Sequence, residues 1–284
     1  MDYYFKIANC IIKISSPFEI FWNKYINKFS CNKTDNIDEY YKLQVVDELK
    51  PMGKQIYNDG NQIIFKSDNH EDRLHYFLGW DIPCMMYREL DDKKMIYLNR
   101  RFIDSFKRDE NYCIFNALAF EKVLINHKAI VLHCSYIVVN DYAILFSAPS
   151  GTGKSTQANL WKKYKNSTIV NGDRAIIKKI DDVYYAMGTP ICGSSDICEN
   201  ILKPLKAIIY LYQSPENHIE KLDQKNMIKK LISETTINFF NPNFLNSAFD
   251  IISDISKHIS MYDFWCTKDI NAIECLEKTL GGKS

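Results

Sequence analysis

The spacing of apolar positions predicts mostly strands in the first 110 residues. Residues 3–14 are apolar and rich in β-formers, and the aromatic positions of 18–29 recur at helical spacing after Ser16-Pro17. Short apolar runs separated by polar turns then predict strands at 40–46, 62–66, 74–78, 85–90 and 95–99. Together they indicate a small antiparallel sheet with one helix.

After residue 110 the pattern alternates between helical and strand spacing. Strands at 130–139 and 142–146 are joined by Asn140-Asp141 alone, so they must be antiparallel neighbours. The same reasoning predicts helices at 112–126, 154–164, 224–240, 245–258 and 269–280, and strands at 168–170, 175–180, 184–187, 207–212 and 261–266. We therefore expect an α/β fold with a mixed sheet over 111–284, preceded by a small N-terminal α+β domain over 1–110 whose strands are mainly antiparallel.

The segment between strand 142–146 and the following helix resembles a phosphate-binding loop. It runs Ala148-Pro149-Ser150-Gly151-Thr152-Gly153-Lys154-Ser155-Thr156. The pattern G-x-x-x-x-G-K-[ST] is met at Gly153, Lys154 and Ser155 and fails at the first position, where Ala148 stands. The ordinary alternative is a Gly-Ser-Thr loop that contains a lysine by chance.

The residue types in this loop suit phosphate binding. Gly151 and Gly153 permit backbone conformations in which successive N–H groups turn inward around phosphate oxygens. Lys154 can then contact the outer phosphates, and the Ser155 hydroxyl can ligate Mg²⁺. The predicted nucleotide-binding residues are Ser150, Gly151, Thr152, Gly153, Lys154, Ser155 and Thr156.

An acidic residue follows one strand later. The strand at 168–170 ends at Asn171-Gly172-Asp173-Arg174, and the intervening helix should return this turn to the edge of the sheet that carries the loop. Asp173 is therefore expected near Ser155, where it could hold magnesium or accept a proton. Arg174 could neutralise phosphate charge or form a structural ion pair.

Composition excludes several classes of partner and compartment. Lys and Arg number 36 against 35 Asp and Glu, so a formal net charge of +1 favours neither nucleic acid nor an anionic membrane. Nine scattered cysteines without a C-x-x-C pair indicate reduced thiols. No apolar run approaches membrane-spanning length. We expect a cytoplasmic protein.

Two stretches, VLHCSYIVVNDYAILFSAPSGTGKST and IVNGDRAII, resemble the catalytic domain of HPr kinase/phosphorylase. They are more similar to the kinases of that superfamily found with peptide-modification gene clusters, including lasso-peptide precursor kinases. His133 occupies the position of a histidine on the strand before the loop in the HPr enzymes. The later stretches GTPICGSS and PLKAIIYLYQSPENHIEKL extend the resemblance to roughly residues 110–280.

The resemblance implies a P-loop core of the HPr kinase C-terminal type, related to phosphoenolpyruvate carboxykinases. ATP with Mg²⁺ would be the donor, and a hydroxyl of a peptide, protein or small molecule the acceptor. The implied catalytic residues are Asp173, Lys154 and His133, with Ser155 and Asp173 at the metal; for His133 a core role is the alternative. A homo-oligomer stays open, because the HPr enzymes assemble through surfaces that do not transfer to this sequence.

Two departures from the family pattern change the expectation. Ala148 replaces the first loop glycine, which should be tolerated. The paired aspartates of the HPr enzymes are reduced to Gly172-Asp173, so we expect a kinase without phosphorylase activity. A non-catalytic ATP-binding module that regulates a partner protein is the alternative function, whereas carboxykinase chemistry lacks a second Lys/His metal set. The loop at 192–195 could close over the acceptor or be an ordinary surface loop.

Overall fold

A computed structural model of the chain describes residues 1–77, 79–91, 93–108, 112–193 and 195–281. These residues form a mixed α/β structure with two compact units, Met1–Val123 and Leu124–Ser284, called here the first and second unit. Each unit contains an eight-stranded mixed sheet. The predicted boundary between residues 110 and 111 lies outside the described residues.

The first unit consists mainly of strands. In chain order its elements are β1 (Asp2–Ile7), β2 (Cys10–Ser15), α1 (Lys24–Asn27), β3 (Glu39–Val46), β4 (Lys54–Asn58), β5 (Gln62–Ser67), β6 (His70–Tyr76), β7 (Pro83–Leu90), β8 (Lys93–Asn99), a 3₁₀ helix (Arg100–Phe102), α2 (Ile103–Arg108) and α3 (Tyr112–Asn116). The strand order is β1-β2-β3-β8-β7-β6-β5-β4. The pairs β2–β3 and β3–β8 are parallel, and the other pairs are antiparallel.

The predicted helix over 18–29 is wrong for most of its length. The α-helix covers only Lys24–Asn27, because the Asn23 side chain accepts hydrogen bonds from the backbone of Tyr25 and Ile26 and so fixes the helix start there. Trp22 packs edge-on against Phe5, with ring centroids 5.3 Å apart. Trp22 and Phe29 are buried, whereas Phe21 is 59% exposed, so the helical spacing of the aromatic residues does not correspond to one buried helix face.

The second unit alternates strands and helices. Its elements are β9 (Ala129–Val139), β10 (Tyr142–Ser147), α5 (Lys154–Lys165), β11 (Thr168–Asn171), β12 (Arg174–Ile180), β13 (Val183–Met187), β14 (Leu202–Gln213), β15 (His218–Lys221), α6 (Gln224–Glu234), α7 (Pro242–His258), β16 (Ser260–Cys266) and α8 (Ile270–Gly281). Helix α4 (Phe120–Asn126) spans the division between the units. The predicted antiparallel pairing of β9 with β10 is confirmed.

Two long strands organise the sheet of the second unit. β9 pairs with β12 through its first half and with β10 and β11 through its second half. β14 pairs with β13 at its start and then runs parallel to both β10 and β16. The carboxyl ends of β10, β14 and β16 therefore lie at one edge, which is where open α/β sheets bind ligands.

Apolar clusters cover both faces of this sheet. One cluster includes Phe146, Ala148, Trp161 and Ile209, and it joins β10 and β14 to α5 and α8. The other joins the opposite face to α6 and α7. Burial of apolar side chains such as these supplies the main favourable free energy of folding. Among the described residues, no helix is both long and apolar enough to cross a bilayer.

Two predicted helices differ from those in the structure: one is interrupted, and the other ends early. The helix over 112–126 is interrupted because Ala119 adopts a left-handed conformation, with φ 49°, which separates α3 from α4. The helix over 224–240 ends at Glu234, because Thr235 is extended and bridges to Leu132 on β9. β-branched residues favour such an extended backbone. The carboxyl end of α6 is thereby held against β9.

Candidate active site

The loop between β10 and α5 has the backbone that its glycines predict. Gly151 and Gly153 have φ angles of 78° and 124°, a region that residues with a Cβ rarely adopt. A Cβ at either position would meet no atom within 4 Å, so the requirement for glycine comes from the backbone angle and not from crowding. Helix α5 begins immediately after Gly153, and its first N–H groups therefore face the loop.

Ala148 is a core residue beneath this loop. Its side chain is buried in the cluster that contains Phe146 and Trp161. It does not lie among the described residues with positive φ. Nothing in its conformation calls for glycine, which explains why the departure from the pattern is accommodated.

Lys154 turns its side chain back into the loop. Its Nζ donates hydrogen bonds to the carbonyl oxygens of Ala148 at 2.7 Å and Pro149 at 3.3 Å. Burial lowers the pKa of this ammonium below its ordinary 10.5, and the charges of Glu234, Cys134 and Asp173 partly oppose that shift. An incoming phosphate would stabilise the ammonium form that burial disfavours.

The loop and the turn after β11 line one cavity of about 270 Å³. The residues that line it are His133, Ser150, Gly151, Gly153, Lys154, Ser155, Thr156, Gly172 and Asp173. Of the predicted site residues, only Thr152 is missing from this lining, and its carbonyl accepts a hydrogen bond from Gln213. Typical small-molecule pockets span roughly 300–1,000 Å³, so this cavity suits a phosphate group better than a whole nucleotide.

Asp173 is oriented by its neighbours. The side-chain oxygen of Asn171 accepts hydrogen bonds from the backbone N–H groups of Asp173 and Arg174, at 2.9 and 3.0 Å. The Arg174 guanidinium contacts Asp173 Oδ2 through Nε and Nη2, both at 2.6 Å. Oδ2 is therefore engaged, and Oδ1 lies 3.7 Å from Nε2 of His133.

His133 lies at the rim of the cavity and not in the core. Its side chain is 39% exposed, which does not suit the alternative of a satisfied core histidine. Its Nδ1 lies 3.4 Å from Oε2 of Glu234, the last residue of α6. Sequence reasoning missed Glu234, because the predicted helix ran past it and gave no reason to bring its side chain to β9.

The loop after β13 contacts the Asp173 turn directly. A Cβ at Gly193 would lie 2.7 Å from Cγ of Asp173, and a Cβ at Gly172 would lie 2.3 Å from Oγ of Ser195. A Cβ at either position would therefore force the facing side chain, Asp173 or Ser195, to move. Ser194, part of the predicted 192–195 loop, lies outside the described residues. The described part of this loop thus borders the candidate site.

The donor set is compatible with magnesium bound together with phosphate. Ser155 and Asp173 bring a hydroxyl and a carboxylate to one cavity, and Mg²⁺ prefers oxygen ligands. In the part of the chain that the structure describes, no three His, Cys, Asp or Glu side chains are grouped to hold a metal ion. Mg²⁺ commonly takes one or two protein ligands and completes its shell with water and substrate phosphates. The residues present fit that arrangement.

Comparison with known proteins identifies no family. No protein-family model matches the chain, and no curated protein matches it. Among solved structures, the chain is similar to the Hpr(Ser) kinase/phosphatase from Coxiella burnetii, at 12% identity and a TM-score of 0.30, over 53% of this chain and 87% of that one. A likeness at this level assigns neither an activity nor a residue role.

Proposed function

We propose that this protein is an ATP-dependent kinase that transfers the γ-phosphoryl group to a hydroxyl. The observation that supports this most directly is that the Lys154 loop, the Ser155 hydroxyl and the Asp173 carboxylate line a single cavity. Phosphoryl transfer requires mainly positioning and neutralisation of charge, and these groups provide both. The polar, phosphate-sized cavity suits the reacting end of the nucleotide.

Each residue has a distinct task in this proposal. The amides of residues 150–156 and the Lys154 ammonium bind the phosphates, with Lys154 leaving the carbonyls it now contacts. Ser155 and Asp173 would hold Mg²⁺, which when bound neutralises charge on the phosphate oxygens. Arg174 keeps the Asp173 carboxylate oriented toward the cavity. His133, at the rim, lies where an acceptor hydroxyl would approach.

The acceptor class follows from the sequence resemblance and not from the cavity. A serine of a peptide or protein is our first choice, and a small-molecule alcohol is the second. A single aspartate at the turn supports a kinase without phosphorylase activity. Nine free thiols support a cytoplasmic location, and a homo-oligomer stays open.

Labelled ATP tests the proposal. The full chain is incubated with magnesium, [γ-³²P]ATP and a library of serine-containing peptides, and label on any peptide is measured. We expect transfer by the natural chain and none by Lys154→Ala. ATP consumption that is unchanged in Lys154→Ala would contradict the proposal.

One observation favours a second function, a non-catalytic ATP-binding module that regulates a partner. Both guanidinium contacts of Arg174 engage Asp173, the only carboxylate that lines the cavity among the described residues. A carboxylate held by Arg174 in this way could take part in nucleotide binding without taking part in phosphoryl transfer. Such a module would bind ATP in calorimetry and leave the γ-phosphoryl group in place in the labelling experiment.

A further inference from the structure

His133 lies between two carboxylates that approach its two ring nitrogens. Nδ1 is 3.4 Å from Glu234 Oε2, and Nε2 is 3.7 Å from Asp173 Oδ1. The first separation is at the edge of hydrogen-bond distance, and the second exceeds it. Catalytic contacts are often long in ligand-free structures and shorten when substrate binds. Of the two carboxylates, Glu234 is therefore closer to forming a hydrogen bond with the His133 ring, at Nδ1.

The fold brings Glu234 to this position by ending α6 there. Thr235 forms an antiparallel bridge with Leu132, and the N–H of Thr236 donates to Val131 O at 2.9 Å. Both contacts attach the chain directly after Glu234 to the residues directly before His133. The glutamate and the histidine are thus held side by side by backbone pairing, which sets their separation more firmly than a pair of flexible surface side chains could.

Glu234 is also shielded from solvent and has a second contact. Its side chain is 9% exposed. Its Oε1 accepts a hydrogen bond from the Tyr210 hydroxyl at 3.4 Å. The Tyr210 ring is covered by the Lys230 ammonium, 3.9 Å from the ring centroid. One carboxylate oxygen is therefore occupied by Tyr210, and the other is left to face His133.

We propose that Glu234 positions His133 as the proton acceptor of the transfer reaction, an inference that rests on the proposed kinase function. A neutral imidazole carries one N–H. With that N–H on Nδ1 directed at Glu234, the lone pair of Nε2 faces the cavity. Glu234 then stabilises the imidazolium that forms, as a carboxylate behind a catalytic histidine does in general.

The acceptor oxygen forms a bond to the γ-phosphorus while its O–H bond breaks, and the proton moves to His133 Nε2. The bond from the γ-phosphorus to the β,γ-bridging oxygen breaks, and its electron pair leaves with ADP. Asp173 takes no proton in this scheme, so its carboxylate stays available for the metal. A single aspartate then suffices at the turn after β11.

The variants Glu234→Gln and Glu234→Asp of the full chain test whether turnover depends on the charge and on the position of the Glu234 carboxylate. Turnover is measured as loss of the γ-phosphoryl group from ATP with magnesium and a library of serine-containing peptides, so that water or a peptide hydroxyl can accept it. For Glu234→Gln we expect kcat to fall about 10²-fold, within the range of general base catalysis. KM for ATP should change much less than kcat, because Glu234 does not line the cavity and acts on Lys154 only through its charge. Glu234→Asp, which keeps the charge, should recover part of the loss.

A double variant separates positioning from a general structural effect. If Glu234 acts through His133, then Glu234→Gln should cost nothing further in a His133→Ala background. The matched control is Glu220→Gln, which removes the carboxylate from another Glu–His pair of the second unit, with 2.8 Å between Glu220 Oε1 and His218 Nε2. That exposed pair lies outside the cavity lining, and its loss should leave turnover unchanged.

Nitrogen-15 NMR of histidine-labelled protein gives a readout independent of activity. In the natural chain, neutral His133 should carry its proton on Nδ1, and Glu234→Ala should abolish this preference while Glu220→Ala does not. Full turnover in Glu234→Gln, or an Nε2–H tautomer in the natural chain, would overturn this inference and leave the kinase proposal intact. Absence of turnover in the natural chain would overturn both.

Discussion

The backbone of Gly193 lies against the carboxylate of Asp173. A Cβ at position 193 would be 2.7 Å from both Cγ and Oδ1 of that side chain. The loop after β13 therefore limits where the carboxylate can point, although it is distant from the phosphate loop in sequence. Arg174 restricts the same group from its other oxygen.

Gly193→Ala should displace the Asp173 carboxylate and lower turnover strongly. A misplacement of about 1 Å in a catalytic constellation can cost on the order of 10²-fold in rate. We expect a loss of that size in kcat, with ATP affinity retained, measured by the peptide-labelling assay and by calorimetry. Gly281→Ala is the control, because a Cβ there would meet no atom within 4 Å. Wild-type activity in Gly193→Ala would show that the carboxylate tolerates the shift.

Asp173→Asn should abolish phosphoryl transfer and leave nucleotide binding measurable. The amide keeps the size of the side chain and removes the charge that would hold the metal. Transfer is followed by labelling, and binding by calorimetry with ATP and magnesium. Asp141→Asn is a suitable control, because Asp141 pairs with Lys203 on the surface of the same unit. An active Asp173→Asn protein would remove Asp173 from the mechanism.

As the pH rises, the affinity for phosphate should begin to fall at a lower pH than it would if Lys154 had the pKa of an ordinary lysine. Burial lowers the pKa of Lys154 below 10.5, so its positive charge is complete only below that lowered pKa and is lost as the pH rises through it. The dissociation constant of inorganic triphosphate, measured from about pH 7 to pH 10, should rise over this window.

Two lysine variants on α5 separate the site from the surface. Lys154→Met should bind triphosphate weakly and without this pH dependence. Lys165→Met, which removes a surface contact with Glu277, should retain the natural profile. A natural profile in Lys154→Met would exclude the ammonium from phosphate binding.

In the first unit, loss of Arg88 should destabilise the fold. Arg88 contacts Asp72 through Nε at 2.8 Å and Nη2 at 2.6 Å, and the Asp72 side chain is 0% exposed. Removing one partner of a buried ion pair costs about 3–5 kcal/mol. The Met52 N–H, which donates to Asp72 Oδ2 at 2.8 Å, would remain and should keep the loss toward the lower end of that range. Urea unfolding of Arg88→Ala should show a decrease of that order in the free energy of unfolding.

An exposed arginine pair provides the comparison. Arg100 contacts Asp47 at 2.5 Å, but their side chains are 61% and 81% exposed. Such pairs contribute about 1 kcal/mol or less. Equal shifts of the urea transition in Arg88→Ala and Arg100→Ala would contradict this prediction. They would show that burial of Asp72 does not increase the contribution of its ion pair to stability.

Elements with a strong local pattern could be predicted from the sequence, and those that depend on distant contacts could not. The strand predicted at 142–146 and the helix at 154–164 differ from β10 and α5 by a single residue at one end. β4 was missed because its five residues are all exposed and show no alternation. The end of α6 at Glu234 depends on pairing with β9, which no local pattern reveals.

The same distinction applies to the site. The loop residues follow from one short motif, and the approach of Asp173 follows from the return of the chain after a single helix. Both expectations concern neighbours along the chain, and the structure places these residues in one cavity. Glu234 and Gly193 reach the site through the ends of α6 and β13, whose positions depend on tertiary packing.

The methyl group of Ala148 has a consequence for how such chains are found. Because it fills space among Phe146 and Trp161, glycine at this position would leave a small void under the bend and loosen the entry to α5. A search pattern that requires glycine at this position would miss a chain in which a buried alanine packs beneath the loop. A pattern that leaves position 148 open and keeps the Gly-Lys-Ser triplet would also find sequences in which a side chain fills this space.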